Sequence, residues 1–237
     1  MRFWQLFLRN LKETYRDPLA LGFLLVFPLL FMVVFGLALG DVGNLAPGII
    51  VFGLLIMIPT SARIMTRDKE KGFMARLLTT PTRPWEFVTG YTLCLLLVAA
   101  AQVVFFILIG WLFGMSIAGS LALAFVVFLL TALASIGVGM VVAALSKSEN
   151  QAEPLTWIVA MPLAVLSGVW FPLSVMPPWM RTAADVFPFS HAIAASQKIM
   201  LEGAGFAEVQ GDIIFIAAWA LGAILFGIFL FSRTMRS

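Results

Sequence analysis

No Asp, Glu, Lys or Arg occurs between Phe87 and Ser146, a stretch that reads FVTGYTLCLLLVAAAQVVFFILIGWLFGMSIAGSLALAFVVFLLTALASIGVGMVVAALS. It is roughly 60 residues long, about three times the length that an α-helix needs to cross the hydrocarbon core of a bilayer. A water-soluble protein would need a polar face along such a stretch to meet solvent. The stretch therefore predicts two membrane-spanning helices, which are separated by a glycine-containing turn near Phe113–Gly119.

The rest of the chain repeats this pattern in shorter pieces. Four further charge-free runs cover Pro18–Gly40, Val42–Ala62, Pro154–Met180 and Ile213–Ser232. Only 11% of all residues are charged, whereas soluble domains average about 25%. Helices are required because backbone groups that face lipid must pair within their own segment. We predict a single all-α integral membrane domain over residues 1–237, with six transmembrane helices at about 19–39, 44–64, 87–112, 119–145, 154–174 and 212–232.

The first sixteen residues show the pattern of a helix that lies in the headgroup region. Phe3, Phe7, Leu11 and Tyr15 recur every four residues, and basic residues occupy other positions. We predict an interfacial helix over residues 1–16, with its aromatic side toward the acyl chains and its basic side toward phosphate. A cleaved signal peptide is the alternative, but the following apolar segment is longer than a secretory core segment.

The distribution of Lys and Arg predicts the orientation. Thirteen of the 15 basic residues lie on one side of the predicted spans, and only Arg181 and Lys198 lie on the other. Because basic residues concentrate on the cytoplasmic side, both termini are expected to be cytoplasmic, in a multi-pass protein of a bacterial or archaeal plasma membrane. Small residues at Ser135, Gly139 and Ala143 predict that the fourth helix packs inside the bundle.

The most polar part of the chain is the loop between the second and third spans, Thr66–Pro81. Within it, Phe73, Met74, Leu77 and Leu78 form an apolar stripe at helical spacing, with the basic residues elsewhere. This predicts a short amphipathic helix at the cytoplasmic surface that docks on a partner and ends at the prolines that follow. A solvated basic loop that only sets the topology is the alternative.

A second unusual segment joins the fifth and sixth spans and runs from Ser167 to about Gly203. It is too apolar for an exposed loop, and its prolines prevent a continuous helix. Broken helices at the membrane occur only where they are buried in protein or line a cavity. We predict short re-entrant or interfacial helices on the external side, which serve either as a structural lid or as an exit gate.

At these two segments the chain resembles the permease subunits of ABC exporters of the type-2 membrane family. The loop pattern of that family is matched by Arg67, Glu70, Gly72, Leu77, Leu78, Thr80, Pro81 and Gly90. The external pattern is matched by Ser167, Gly168, Phe171, Pro172, Pro177, Trp179, Pro188 and His191. The resemblance covers essentially the full length, and one departure is Lys198, where the family often has Arg.

The resemblance implies that a separate cytoplasmic ATPase drives this chain. The sequence agrees, because it contains no Gly-x-x-x-x-Gly-Lys-Ser/Thr phosphate loop. ATP and Mg would then be bound by two copies of the partner ATPase and no cofactor by this chain, which is expected to form a dimer of identical chains. The coupling residues implied by the resemblance are Arg67, Glu70, Lys71, Gly72, Arg76, Leu77, Leu78 and Pro81.

The resemblance also implies a substrate route between helices two and five of the dimer. The route would be lined by Phe52, Leu55, Ile56, Pro59, Trp157, Met161 and Leu166, an apolar and aromatic set that suits amphiphilic cargo. The external gate would consist of Gly168, Phe171, Pro172, Pro177 and Trp179. We therefore expect an ATP-driven export permease for a hydrophobic or amphiphilic compound, either drug-like or lipid-like.

Other classes of function are less well supported by the residues. Export of a polysaccharide or a lipid-linked glycan is the near alternative, although the spans contain few polar residues. An ion-coupled secondary transporter is disfavoured because no ionisable group lies in the middle of a predicted span. We expect neither a metal site nor a catalytic site, because His191 is the only histidine and no nucleophile–base pair is evident. Nothing in the sequence indicates nucleic-acid binding.

Overall fold

The computed structural model describes residues 2–39, 42–70, 72 and 84–234. The elements are α1 (Arg2–Tyr15), α2 (Pro18–Leu39), α3 (Val42–Leu55), α4 (Met57–Glu70), α5 (Pro84–Leu112), α6 (Leu121–Leu145), α7 (Glu149–Leu166), a 3₁₀ turn (Leu173–Val175), α8 (Pro178–Ala184), α9 (Pro188–Glu202) and α10 (Phe206–Thr234). No strand occurs in these ranges, so the prediction of an all-α protein is confirmed for them.

Four helices in the described ranges are long and apolar enough to cross a membrane. They cover Gly43–Glu70, Trp85–Leu112, Leu121–Leu145 and Phe206–Arg233. A shorter apolar stretch, Leu21–Val34, lies within α2. Length and composition therefore identify an integral membrane protein, and the count of six spans stays a prediction. Likewise, α1 occupies the position of the predicted interfacial helix, and its depth in a membrane stays a prediction.

The helix that contains the second predicted span, 44–64, extends six residues beyond the C-terminal end of that span. The helix breaks only at Ile56 and then continues as α4 to Glu70. Pro59 explains the break, because its ring clashes with the carbonyl of Leu55 and it has no N–H to donate. Arg67 to Glu70, predicted to open the coupling helix, instead form the last turn of α4, where basic residues are favourable.

The remaining residues of the predicted coupling helix are placed only in part. Gly72 forms a turn with a φ of +66°, a left-handed conformation that favours glycine. The other predicted coupling residues, which are Lys71, Arg76, Leu77, Leu78 and Pro81, lie outside the described residues. The amphipathic helix of this loop therefore stays a prediction.

The fifth predicted span, 154–174, is shifted toward the N-terminus in the structure. The helix α7 begins at Glu149 and ends at Leu166. It starts directly after Ser148, whose backbone is extended, and it stops before Gly168, which has a φ of +89°. Because Gly168 and Pro172 cannot continue a helix, the last eight residues of the predicted span leave it.

The helix α6 lies at the centre of the bundle, as predicted from its small residues. Ser135, Gly139 and Ala143 are buried. A side chain at Gly139 would overlap the Ser61 hydroxyl and the Ile58 carbonyl of α4. The glycine therefore permits a close approach of α4 and α6, and this contact holds one side of α4 in place.

Short helices follow α7, and the longest of them, α9, is built into the bundle. The helices α8 and α9 each begin at a proline, where the missing N–H is not needed. Phe189 and Ile199 of α9 are fully buried. Asp212 of α10 accepts hydrogen bonds from His191 Nδ1 at 2.7 Å and from Lys198 Nζ at 3.4 Å, which join α9 to α10. That these helices lie on the external side stays a prediction.

Candidate functional site

The last turn of α4 caps two other helices, and this contact frames the candidate site. Lys69 Nζ donates hydrogen bonds to the carbonyl oxygens of Ala144 at 3.2 Å and Ser146 at 2.9 Å, at the end of α6. The carboxylate of Glu70 accepts a hydrogen bond from the Glu149 N–H at 2.9 Å, at the start of α7. Each charge complements the helix end that it meets. The end of α4 is therefore linked by hydrogen bonds to both α6 and α7.

A partly buried network of charges ties α1 to the same end of α4. We call it the Asp68 network, and it consists of Arg9, Glu13, Arg67, Asp68 and Tyr91. Arg9 lies 2.9 Å from Asp68 and 2.9 Å from Glu13, and Arg67 lies 3.5 Å from Glu13. Tyr91 of α5 donates a hydrogen bond to Asp68, whose side chain is only 3% exposed. The network thus joins α1, α4 and α5.

The groups around Arg9 keep its guanidinium protonated. Burial lowers the pKa of Arg9, but Tyr91, Asp68 and Glu13 raise it by more, so the pKa of Arg9 lies above its usual value. Arg9 therefore stays protonated and balances the buried carboxylate of Asp68. A buried charge that is matched in this way is costly to remove on one side only.

Next to the Asp68 network, a cavity of roughly 350 Å³ opens beside α4 and α7. We call it the lateral cavity. Its walls are formed by Asp17, Phe23, Ile56, Pro59, Thr60, Arg63, Glu153 and Trp157. Arg63 lies 3.6 Å from Asp17, so this guanidinium already has a carboxylate beside it. Glu153 is exposed and forms no ion pair with any described residue.

A narrow apolar crevice lies beside the lateral cavity and shares Ile56 and Trp157 with it. Its lining is Phe52, Leu55, Ile56, Trp157, Ala160, Met161 and Ala164. The crevice encloses only about 10 Å³, far below the roughly 300 Å³ of a small ligand pocket. The structure therefore brings six of the predicted route residues together around these two spaces, and Leu166 lines neither of them.

A column of aromatic rings runs from the lateral cavity along α2 to the segment after α7. It consists of Phe23, Phe27, Phe31, Phe52 and Trp170. Phe23 and Phe27 stack at 4.9 Å between centroids, and Phe27 and Phe31 meet edge to face at 5.0 Å. Trp170 contacts Phe31 at 5.4 Å and Phe52 at 5.1 Å. The column gives a continuous apolar surface between the cavity and the predicted gate.

Among the residues predicted to form the gate, Gly168 provides the turn after α7. Phe171 and Trp179 are 60% and 70% exposed, and Pro172 and Pro177 are also exposed. Of this segment, the residue that reaches the aromatic column is Trp170, which the sequence analysis did not select. Since the segment is not helical there, no periodicity distinguishes Trp170 from Phe171.

The polar wall of the lateral cavity was not predicted from the sequence. Arg63 counted there only among the basic residues that indicate the orientation, and Asp17, Phe23 and Glu153 were not selected as site residues. A signal was present, because Arg63 lies one turn beyond Pro59, and Glu153 lies four residues before Trp157. Arg63 is the first charged residue after Pro59, and Glu153 is the first charged residue before Trp157.

The lateral cavity offers charged and aromatic side chains that can contact a ligand. No group of three or more His, Cys, Asp or Glu that could hold a metal ion occurs in the described part of the chain. A second concavity of roughly 430 Å³ lies between α6 and α10 around Trp219 and Phe226. Its lining carries no charged residue. It therefore lacks a group that could orient a ligand.

Comparison with known proteins relates the sequence of the chain to one family. Residues 1–201 match the family model described as ABC-2 type transporter. The probable multidrug ABC transporter permease YbhR of Escherichia coli (strain K12) is 29% identical over 167 residues, which are 70% of this chain and 44% of that protein. A daunorubicin resistance ABC transporter permease protein of Streptomyces coeruleorubidus is 29% identical over 196 residues, 78% of this chain and 68% of that protein.

A third relative is the linearmycin resistance permease protein of Bacillus subtilis (strain 168). It is 24% identical over 186 residues, which are 78% of this chain and 48% of that protein. The chain thus spans about half the length of several of the curated relatives that it matches.

Proposed function

The chain belongs to the ABC-2 type transporter family, and from this premise we propose that it is the permease subunit of an ATP-driven exporter. It moves a hydrophobic or amphiphilic compound out of the cell, and a separate ATPase subunit supplies the energy. Two copies of the ATPase bind ATP and Mg, and two identical permease chains enclose the route. Both termini of the six-span permease are cytoplasmic.

The observation that carries this proposal is the lateral cavity with its continuation into the apolar crevice. The cavity, at roughly 350 Å³, lies within the range of small-molecule sites. It is polar at one end, where Asp17, Arg63 and Glu153 lie, and apolar along the crevice. An amphiphile can place its polar group among these charges and its apolar part toward Phe52 and Met161.

The crevice is closed in this structure, which indicates how transport would proceed. A compound cannot enter a space of about 10 Å³, so α4 and α7 must separate before it passes. The aromatic column then offers apolar contacts toward Trp170 and the segment after α7. Such an alternation between two packings of the same helices is the usual form of a transport cycle.

The contacts of Lys69 and Glu70 supply a path for the driving force. The segment that follows α4 contains the proposed ATPase-contacting residues, Lys71, Gly72, Arg76, Leu77, Leu78 and Pro81. When ATP binding moves this segment, the end of α4 moves with it. Lys69 and Glu70 then act on the end of α6 and the start of α7 through their hydrogen bonds. The force thereby reaches the helix that closes the crevice.

The relatives favour a drug-like cargo over a glycan. Their names refer to multidrug transport and to resistance against daunorubicin and linearmycin. The crevice is also lined by apolar residues alone, whereas a glycan route would require polar groups along its length. Export of a polysaccharide or a lipid-linked glycan remains the second candidate on the basis of the aromatic residues Trp157 and Trp170.

Copurification tests this function without knowledge of the cargo. The tagged chain is isolated from its native membranes, and the ATPase activity of the bound proteins is measured. We expect a copurifying ABC ATPase, and we expect Leu77→Ala to release it while Leu221→Ala, an exposed position on α10, retains it. A chain that is inserted in the membrane but binds no ATPase would contradict the proposal.

A further inference from the structure

We propose that the lateral cavity selects amphiphiles that carry a positive charge, and that Glu153 is the residue that sets this preference. The inference rests on the proposed function, because it names the class of compound that the route accepts. It follows from the balance of charges around the cavity and from the position of an aromatic side chain beside them.

The charges on the cavity wall do not cancel. Arg63 is matched by Asp17 at 3.6 Å, whereas Glu153 has no ion-pair partner among the described residues. The described wall therefore carries one excess negative charge. Nearby, Arg67 belongs to the Asp68 network, where it lies 3.5 Å from Glu13 and is also balanced. A ligand with one positive charge would pair with Glu153 and neutralise the wall. An anionic ligand would be repelled by Glu153, and the charge of Glu153 would stay unpaired.

The remaining groups of the wall also suit a cation. Trp157 lies four residues after Glu153 on α7, so both side chains project from the same side of the helix. An aromatic face attracts a cation through its ring quadrupole, and a nearby carboxylate adds to this attraction. Thr60 donates its hydroxyl to the Ile56 carbonyl at 2.8 Å, which leaves the hydroxyl oxygen as an acceptor.

The apolar part of the ligand is accommodated by the other side of the cavity. Phe23, Ile56 and Pro59 line it and lead to the crevice. This arrangement requires a cation on a bulky apolar body rather than a small inorganic ion, since a small ion would leave these walls unfilled. The volume of roughly 350 Å³ accepts a body of the size of a few aromatic rings.

Two ions of nearly the same size and shape but opposite charge provide a direct test. The full chain is reconstituted in phosphatidylcholine nanodiscs, and the saturable binding of tetraphenylphosphonium and of tetraphenylborate is measured by equilibrium dialysis against empty nanodiscs. We expect saturable binding of the cation and at least about tenfold weaker binding of the anion. Equal affinities, a preference for the anion, or no saturable binding of the cation would overturn the inference.

Variants of Glu153 identify the residue responsible. Glu153→Gln keeps the shape and removes the charge, and we expect it to weaken cation binding about fivefold. Glu153→Lys is expected to invert the preference toward tetraphenylborate. Glu202→Gln, at an exposed carboxylate on α9 that does not line the cavity, is the matched control and should bind as the wild type does. A purely structural role of Glu153 would change stability and leave the discrimination between the two ions unaltered, which would contradict the proposal.

Trp157→Ala separates this inference from the proposed function. If Trp157→Ala weakens both ions while Glu153→Gln changes neither, the charge preference is wrong and the cavity remains the binding site. If neither variant changes binding, both the inference and the proposed route are wrong.

Discussion

The Asp68 network and the lateral cavity lie side by side, contain the same kinds of charged residue and differ in how those charges are used. In the network, the carboxylate of Asp68 is almost completely buried and meets both Arg9 and Tyr91. In the cavity, Arg63 and Asp17 are each about one-third exposed, and Glu153 is exposed without an ion-pair partner among the described residues.

This difference indicates a division of tasks along α4. Arg67 and Asp68 use their charges to hold α1 and α5 against the helix, whereas Arg63, one turn earlier, faces a space that a ligand can enter. Removing one partner of a buried pair is costly because it leaves the other charge uncompensated, whereas exposed charges contribute little to folding. We therefore expect substitutions in the network to reduce stability and substitutions in the cavity to change binding.

The largest loss of stability is expected from a substitution in the Asp68 network. Asp68→Ala leaves the partly buried Arg9 with Glu13 as its remaining carboxylate and removes the buried acceptor of Tyr91, so the free energy of unfolding should fall by about 3–5 kcal/mol. Thermal unfolding of the purified protein in detergent measures this change. Glu202→Ala, at an exposed carboxylate, is the control and should unfold as the wild type does.

A second substitution sharpens this result. Combining Arg9→Met with Asp68→Leu removes both charges together, so the double variant should be more stable than Asp68→Ala alone. If Asp68→Ala loses less than about 1 kcal/mol, the network does not hold the helices together, and the contrast with the cavity fails.

A somewhat smaller loss of stability is expected at the contact between α4 and α6. Gly139→Ala places a methyl group against the Ser61 hydroxyl and the Ile58 carbonyl, and it should destabilise the protein by about 1–3 kcal/mol. Gly222→Ala on α10 is the matched control, because no atom of another helix lies within 4 Å of its added methyl group. Equal thermal midpoints for the two variants would show that α4 is not clamped against α6.

The contact between α4 and α7 should contribute less to stability than to transport. Glu70→Ala removes the acceptor for the Glu149 N–H, and by analogy with helix caps the free energy of unfolding should fall by about 1 kcal/mol. Transport driven by ATP should fall while the ATPase remains bound, because the link to α7 is weakened. Unchanged transport in this variant, measured in inverted membrane vesicles, would remove Glu70 from the coupling path.

The smallest effect on stability is expected in the cavity itself. Glu153→Gln should change the free energy of unfolding by no more than about 0.5 kcal/mol, since the side chain is exposed and unpaired among the described residues. Thermal unfolding in the same detergent measures it beside Asp68→Ala. A loss above 1 kcal/mol would mean that Glu153, like Asp68, supports the fold.

The composition of the chain was sufficient to predict the helical class and most helix positions, but not the contacts between helices. The uncharged runs predicted α5, α6 and α10 closely, because length and hydrophobicity determine a span. The end of α4 and the shift of α7 could not be derived in this way. Both depend on contacts between distant residues, such as Glu70 with Glu149, and on the conformation of Gly168.

The candidate site was likewise predicted only in its apolar part. Ile56, Pro59 and Trp157 were selected from the family resemblance, and the structure brings them together around the cavity. The charged wall was missed because Arg63 and Glu153 are 90 residues apart in sequence, and spacing along the chain does not show that they share a cavity.

Opening of the crevice during the ATPase cycle tests the central claim most directly. With the only cysteine, Cys94, replaced by alanine, Ala160→Cys places a thiol in the closed crevice, and Ile158→Cys places one on the face of α7 that is 68% exposed. Labelling by a maleimide is followed in the complex with the ATPase, with and without ATP. We predict that ATP accelerates labelling at position 160 and leaves position 158 unchanged, and equal rates at position 160 with and without ATP would contradict a route between α4 and α7.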